Sequence, residues 1–234
     1  MAHRPHLLSR REALVAVGAG ALALYGVGCA DDEKAAAPTS TATTGDASTE
    51  SASCVLTPEQ TEGPYYIADS LIRRDITEDR DGTPLQLRLR VQDASSCDPL
   101  KDATVEIWHA DAAGTYSGFG AGSGERSFLR GGQKSDADGN VIFETIYPGW
   151  YQGRTPHIHV KVHAGGQQVH TGQLYFDDAI SNAVYRDSLY AARGEQTTTN
   201  SSDGIYSNGG DQSKLALTEY GDGYVGRLSL GVRT

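Results

Sequence analysis

The chain of 234 residues is 38% hydrophobic and 21% charged, with a formal net charge of −10 and an isoelectric point near 5.1. That apolar content supports a buried core and excludes a wholly disordered chain. The acidic balance lacks the cationic face that nucleic-acid binding needs, so no nucleic-acid partner is expected.

Residues 1–30 read as an address. Ser9-Arg10-Arg11-Glu12-Ala13-Leu14 opens an apolar run, Ala13 to Ala30, rich in Ala and Gly. A basic start, an arginine pair and a moderately apolar stretch are the parts of a twin-arginine export signal; an N-terminal membrane anchor is the alternative. Losing this leader removes Arg4, Arg10, Arg11 and Glu12 and leaves the remainder more acidic still. Cys29 follows Gly26-Val27-Gly28, the place of a lipoprotein cysteine, and is a candidate for lipidation, although Gly26 stands where a leucine is expected. Membrane attachment is expected only through the leader or such a lipid. Residues 31–53, rich in Ala, Thr, Ser, Asp and Glu, form an expected disordered tether. The twin-arginine route carries folded proteins, often with a cofactor already inserted. It predicts a secreted or cell-surface location and hints at a metal.

Residues 54–234 are expected to form one domain, and Cys54 and Cys97 lie within it. In an oxidising compartment they read as one disulfide tying the start of the domain to a later turn; two unpaired thiols are the alternative. The run from Leu85 to Val91 alternates apolar and polar residues without a break, the period of a half-buried strand. Thr104 to His109, Val141 to Ile146, His157 to His163, Gly172 to Phe176 and Leu228 to Val232 are further strand candidates. Between them lie the turn signals Asp81-Gly82, Asp138-Gly139-Asn140, Gly165-Gly166, Asp203-Gly204 and Asn208-Gly209. Only Asn182 to Arg193 looks helical. The expected fold is all-β: an antiparallel β-sandwich with long loops and one short helix.

The chemistry concentrates in Pro148-Gly149-Trp150-Tyr151-Gln152-Gly153-Arg154-Thr155-Pro156-His157-Ile158-His159. Residues i and i+2 of a strand share a face, so His157 and His159 project together and can hold one metal ion. Ile158, Val160 and Val162 take the opposite face. A His-x-His pair alone also describes a merely polar strand face. Here Tyr151 and Arg154 lie close by, and a second tyrosine, Tyr116, follows the strand ending Ile107-Trp108-His109. Phenolate is a hard anionic donor and imidazole suits iron, so two tyrosines and two histidines fit Fe3+ best.

Thr61-Glu62-Gly63-Pro64-Tyr65-Tyr66, the run from Val105 to Ser117, Pro148-Gly149-Trp150-Tyr151 and Arg154-Thr155-Pro156-His157-Ile158-His159 together resemble the intradiol ring-cleavage dioxygenases. Order and spacing match from about Leu56 to Phe176. The secreted bacterial branch is the most similar, since it carries a cysteine just before the Thr-Glu-Gly-Pro segment. The resemblance implies a non-haem Fe3+ held by Tyr116, Tyr151, His157 and His159. It implies a catechol-type substrate cleaved with O2 to a cis,cis-muconic acid, with Tyr151 leaving the metal to take a substrate proton. Arg154 matches the arginine that stabilises carbanion-like density on the ring, and Gln173 matches a glutamine near the bound substrate. Pocket shape, which spacing does not encode, would choose among catechol, hydroxyquinol, protocatechuate and larger lignin-derived catechols. Nothing in the pattern sets an oligomeric state.

Other motifs read as structural. Gly118 to Gly124 is glycine-rich but lacks the lysine that ends a phosphate-binding loop. Asp136 to Asn140 starts like a calcium loop, yet Tyr147 occupies the position that needs an acid. His109 and His170 match no ligand of the family and are expected to be structural, while Trp108 and Trp150 are expected in the core or pocket walls. The rival readings are a copper-binding sandwich built on His157 and His159, and a non-catalytic module that binds aromatic or carbohydrate surfaces.

Overall fold

The computed structural model describes residues 54–68, 71–119 and 127–234. The expected leader, the tether and Cys29 lie outside the described residues, as does most of the glycine-rich stretch after Gly118. Within them, no helix is long and apolar enough to cross a membrane.

Among the described residues, eight strands form two four-stranded sheets. The first holds β1 (Pro84–Asp93), β4 (Asn140–Ile146), β7 (Ala216–Tyr220) and β8 (Gly223–Val232), in the order β4-β1-β8-β7. The second holds β2 (Thr104–Trp108), β3 (Arg130–Lys134), β5 (His157–Ala164) and β6 (Gln167–Tyr175), in the order β3-β2-β5-β6. The alternation in β1 buries Leu85, Leu87, Leu89 and Val91, which join Val105, Ile107, Phe143, Ile158, Val160, Val162 and Leu230 in one core. Strand pairs are antiparallel except β1 with β8, which run parallel. That departs from a purely antiparallel sandwich. Nearly the whole domain separates the two strands in sequence, so no hairpin dictates their relative direction.

β3 and β7 are not among the expected strands. In β3, Arg130-Gly131-Gly132-Gln133-Lys134, glycine is demanded by close approach: a Cβ on Gly131 would lie 2.5 Å from Ile76 Cγ2. The helical stretch starts earlier than its pattern and is split into α1 (Asp178–Val184) and α2 (Ser188–Ala191). Asp187 makes the break, because its carboxylate accepts from the Leu189 N–H and caps a new helix. Cys54 and Cys97 are joined by a disulfide with Cα atoms 5.5 Å apart.

β5 is central in its sheet, and both of its faces are covered. Ile158, Val160 and Val162 point into the core; His157, His159 and Lys161 lie on the opposite face, buried beneath loops. The candidate centre sits on that loop-covered face.

Candidate metal centre

β5 supplies both imidazoles. His157 Nδ1 donates to the Thr155 carbonyl at 2.7 Å, so its Nε2 presents a lone pair. His159 lies between Trp108 and Gln173 in the sheet register, and its Nε2 is 3.2 Å from His157 Nε2. The Trp108 indole stacks on the His159 ring and fixes its plane.

Two loops bring the phenols. After β2, Asp111 accepts the N–H groups of Ala113 and Thr115, and Gly114 takes a left-handed φ of +77°, a turn that leads into Tyr116. The second loop, 147–154, packs directly on the first. A Cβ on Gly149 would lie 2.4 Å from the Ala112 carbonyl oxygen and 2.5 Å from that of Asp111. Tyr185 and Tyr190 donate to the Pro148 and Tyr147 carbonyls, and Trp150 Nε1 donates to the Gly194 carbonyl. Two of the chain's 12 tyrosines thus serve to seat this loop. A tight turn, with Gly153 at φ +85°, bridges Tyr151 to Arg154.

The result is convergence. Tyr151 Oη is 3.0 Å, His159 Nε2 3.2 Å, Tyr116 Oη 3.4 Å and Arg154 Nη1 3.4 Å from His157 Nε2. One ring-nitrogen lone pair takes a single hydrogen bond, so four contacts exceed what that atom can use. The donor set fits a cation shared by two imidazole nitrogens and two phenol oxygens. Burial, then the Arg154 charge, pushes His157 down to about 3. Burial, then His157, pushes His159 well below the usual range. Both rings are therefore neutral, as metal ligands must be. Burial, with Tyr151 beside it, raises Tyr116 well above the ordinary phenol value, and burial raises Tyr151 too. A multiply charged cation offsets that penalty, because coordination favours the anion. Among the described residues no group of three or more His, Cys, Asp or Glu is placed to hold a metal ion, so a centre here draws on the tyrosines. His109 is committed elsewhere, bridging the Ala110 carbonyl and the Thr145 hydroxyl.

Arg154 and Gln173 meet at the same place: Arg154 Nη2 donates to Gln173 Oε1 at 2.5 Å, and Gln173 Nε2 donates to the Thr61 carbonyl at 2.9 Å. The segment 61–66 covers the centre. Tyr65 stacks on Tyr116 with centroids 4.3 Å apart, and Gly63 leaves only 3.3 Å between a would-be Cβ and His159 Cε1. Buried Lys161 reaches Glu62 and lies under the Tyr66 ring. Arg130, from the unforeseen β3, donates to the Tyr65 carbonyl and to Ser117 on either side of Tyr116. Sequence reasoning missed Arg130, Lys161, Asn200 and Asp203. For Asp203 the only signal was a turn with Gly204, yet its carboxylate pairs with Arg154 at 2.8 Å.

A family model described as a dioxygenase matches residues 61–207. An intradiol ring-cleavage dioxygenase from Tetranychus urticae superposes with a TM-score of 0.74 at 38% identity, over 77% of this chain and 95% of that one. The dioxygenase domain of a dioxygenase and carbohydrate-binding fusion from Streptomyces sp. SirexAA-E gives 0.61 at 32% identity, over 77% and 99%. Catechol 1,2-dioxygenase 1 of Acinetobacter lwoffii is 30% identical over 163 residues, 59% of this chain and 51% of the relative. The chain thus spans about half the length of the curated relatives it matches. With more than half of its residues matched, and all four converging donors inside the match, the chain belongs to the intradiol ring-cleavage dioxygenases.

Proposed function

We propose that this chain is a non-haem ferric dioxygenase that opens a catechol-type ring with both atoms of O2 to give a cis,cis-muconic acid derivative. The observation that carries the reading is the convergence of Tyr116, Tyr151 and His159 on His157 Nε2, all within 3.4 Å. Tyr116, Tyr151, His157 and His159 would hold the metal. When bound, Fe3+ supplies Lewis acidity that draws electron density from a catecholate and opens it to O2.

The remaining roles belong to the protein. Tyr151 is only partly buried, and its Oη is the group placed to accept a proton from a catechol hydroxyl. Arg154 brings a fixed positive charge to the same point, where it stabilises carbanion-like density on the ring. Gln173 holds Arg154 on one side and the 61–66 cover on the other. Tyr65, stacked on Tyr116, forms an aromatic wall that suits a flat substrate. Relatives named as catechol and chlorocatechol 1,2-dioxygenases support a catechol-type substrate. Export through the twin-arginine leader, with placement outside the cell or at its surface, is supported by the Arg10-Arg11 pair and by the Cys54–Cys97 disulfide.

The test is the visible absorption spectrum of the purified protein, with metal analysis on the same sample. A broad tyrosinate-to-iron band that shifts on addition of catechol, and that Y116F and Y151F each alter, is expected. A colourless protein holding stoichiometric copper or zinc overturns the reading. So does one that takes up no iron on reconstitution.

A further inference from the structure

Arg154 is aimed from outside the motif that contains it. Its three guanidinium nitrogens have separate addresses: Nε donates to Asp203 Oδ2 at 2.8 Å, Nη2 to Gln173 Oε1 at 2.5 Å, and Nη1 lies 3.4 Å from His157 Nε2. A guanidinium is planar and rigid, so holding Nε and Nη2 determines where Nη1 sits. Asp203 is the only carboxylate paired with Arg154 among the described residues.

Asp203 is itself held from every side. Oδ2 also accepts the Thr155 N–H at 2.8 Å, while Oδ1 accepts the N–H groups of Ile205 and Tyr206 at 2.7 and 3.0 Å. The residue is 2% exposed. Its neighbour Asn200 accepts the Thr155 hydroxyl at 2.7 Å and donates to the Phe176 carbonyl at 2.7 Å. Thr155, gripped at both its N–H and its hydroxyl, is the residue whose carbonyl orients His157.

We propose that Asp203 is a positioning residue for the centre: its carboxylate aims Arg154 Nη1 at the site and, with Asn200, seats the Thr155 peptide that orients His157. The proposal rests on the catechol dioxygenase reading for its kinetic part. A buried ion pair is weak grounds for a stability role, because an apolar pair of similar volume would cost less to bury. What the pair provides is direction. An amide at position 203 cannot replace it, since its NH2 group would face one of the N–H donors that the carboxylate satisfies.

The test compares the wild type, D203N, D203E and D211N as full chains. D211N neutralises the carboxylate that accepts the Tyr206 hydroxyl in the same segment, without touching Arg154. Two readings are taken: steady-state kinetics normalised to bound iron, and the rate at which phenylglyoxal modifies Arg154, followed by peptide mass spectrometry. In D203N, kcat per iron is expected to fall about 100-fold with KM for catechol within about threefold, the signature of lost transition-state stabilisation. Arg154 labelling in D203N should rise about tenfold over the wild type by the same loss of a buried partner. D203E keeps the charge but not the reach and should fall between; D211N should match the wild type. Unchanged kcat per iron in D203N overturns the proposal, as does equal labelling in all four proteins or a D211N defect as large as that of D203N. If D203N does not fold, wild-type values in D203E overturn it. A wild type that binds no iron defeats the proposed function, and the labelling comparison then decides the positioning claim alone.

Discussion

The indole of Trp108 lies flat on the imidazole of His159, ring centroids 4.9 Å apart and 4° from parallel, because the two residues are register partners on neighbouring strands. Trp108 is fully buried, with Tyr66 tilted against it at 5.0 Å. Trp108→Ala is expected to cost about 3–5 kcal/mol in stability and to weaken iron binding, since His159 loses the surface that sets its plane. Urea unfolding and titration of the iron band measure the two effects. Trp108→Phe should recover most of the binding; equal iron affinity in Trp108→Ala would remove the indole from the account.

Gly149→Ala should separate the two tyrosine loops. The added methyl would meet the Asp111 and Ala112 carbonyl oxygens, which are backbone atoms and yield only if a loop moves. A loss of about 1–3 kcal/mol is expected from overpacking, together with reduced iron uptake as Tyr151 shifts from His157. Thermal unfolding and metal analysis check this. Gly153→Ala has open space around the added methyl but a left-handed φ of +85°, so backbone strain should lower stability alone.

The disulfide joins positions 43 apart, and its constraint on the unfolded chain is worth up to about 4 kcal/mol by loop-closure entropy. Reduction, or the pair of changes Cys54→Ser and Cys97→Ser, should lower the urea midpoint by a corresponding amount. The bond lies at the end of β1, away from the donor face of β5, so kcat per iron should stay within about twofold of the wild type. The comparison is made with and without reductant.

His109 links the sheets, with Nδ1 donating to the Ala110 carbonyl and Nε2 accepting from the Thr145 hydroxyl. Burial, against the pull of the Ala110 bond, holds its pKa down to about 4. The ordinary value is about 6.5 in an unfolded chain. Between those two values the unfolded state binds the extra proton, so stability is complete above pH 6.5 and is lost as pH falls toward 4. The loss amounts to about 3 kcal/mol. Urea unfolding at pH 7 and pH 4.5 should give a smaller difference for His109→Gln than for the wild type. Parallel slopes would locate the acid sensitivity in other groups.

Local pattern carried much of this protein. The unbroken alternation from Leu85 to Val91 specified a half-buried strand, and period two placed His157 and His159 on one face with Ile158 and Val160 on the other. Tyr151 and Arg154 were legible because a short turn keeps them beside that strand. β3 was not legible, because Gly131 and Gly132 answer to Ile76 and Ile72 in distant sequence and leave no alternation to read. Asp203 was not legible either; only the folding of residues 200–206 onto Thr155 turns a loop acid into the partner of Arg154. The sequence by itself thus determined the alternating strands such as β1 and β5, the facing imidazoles and the chemistry of the donor set, since these follow from spacing along one segment. Tertiary structure alone decided that four donors meet within 3.4 Å and which buried carboxylate aims the arginine, because both depend on contacts between segments that no local period encodes.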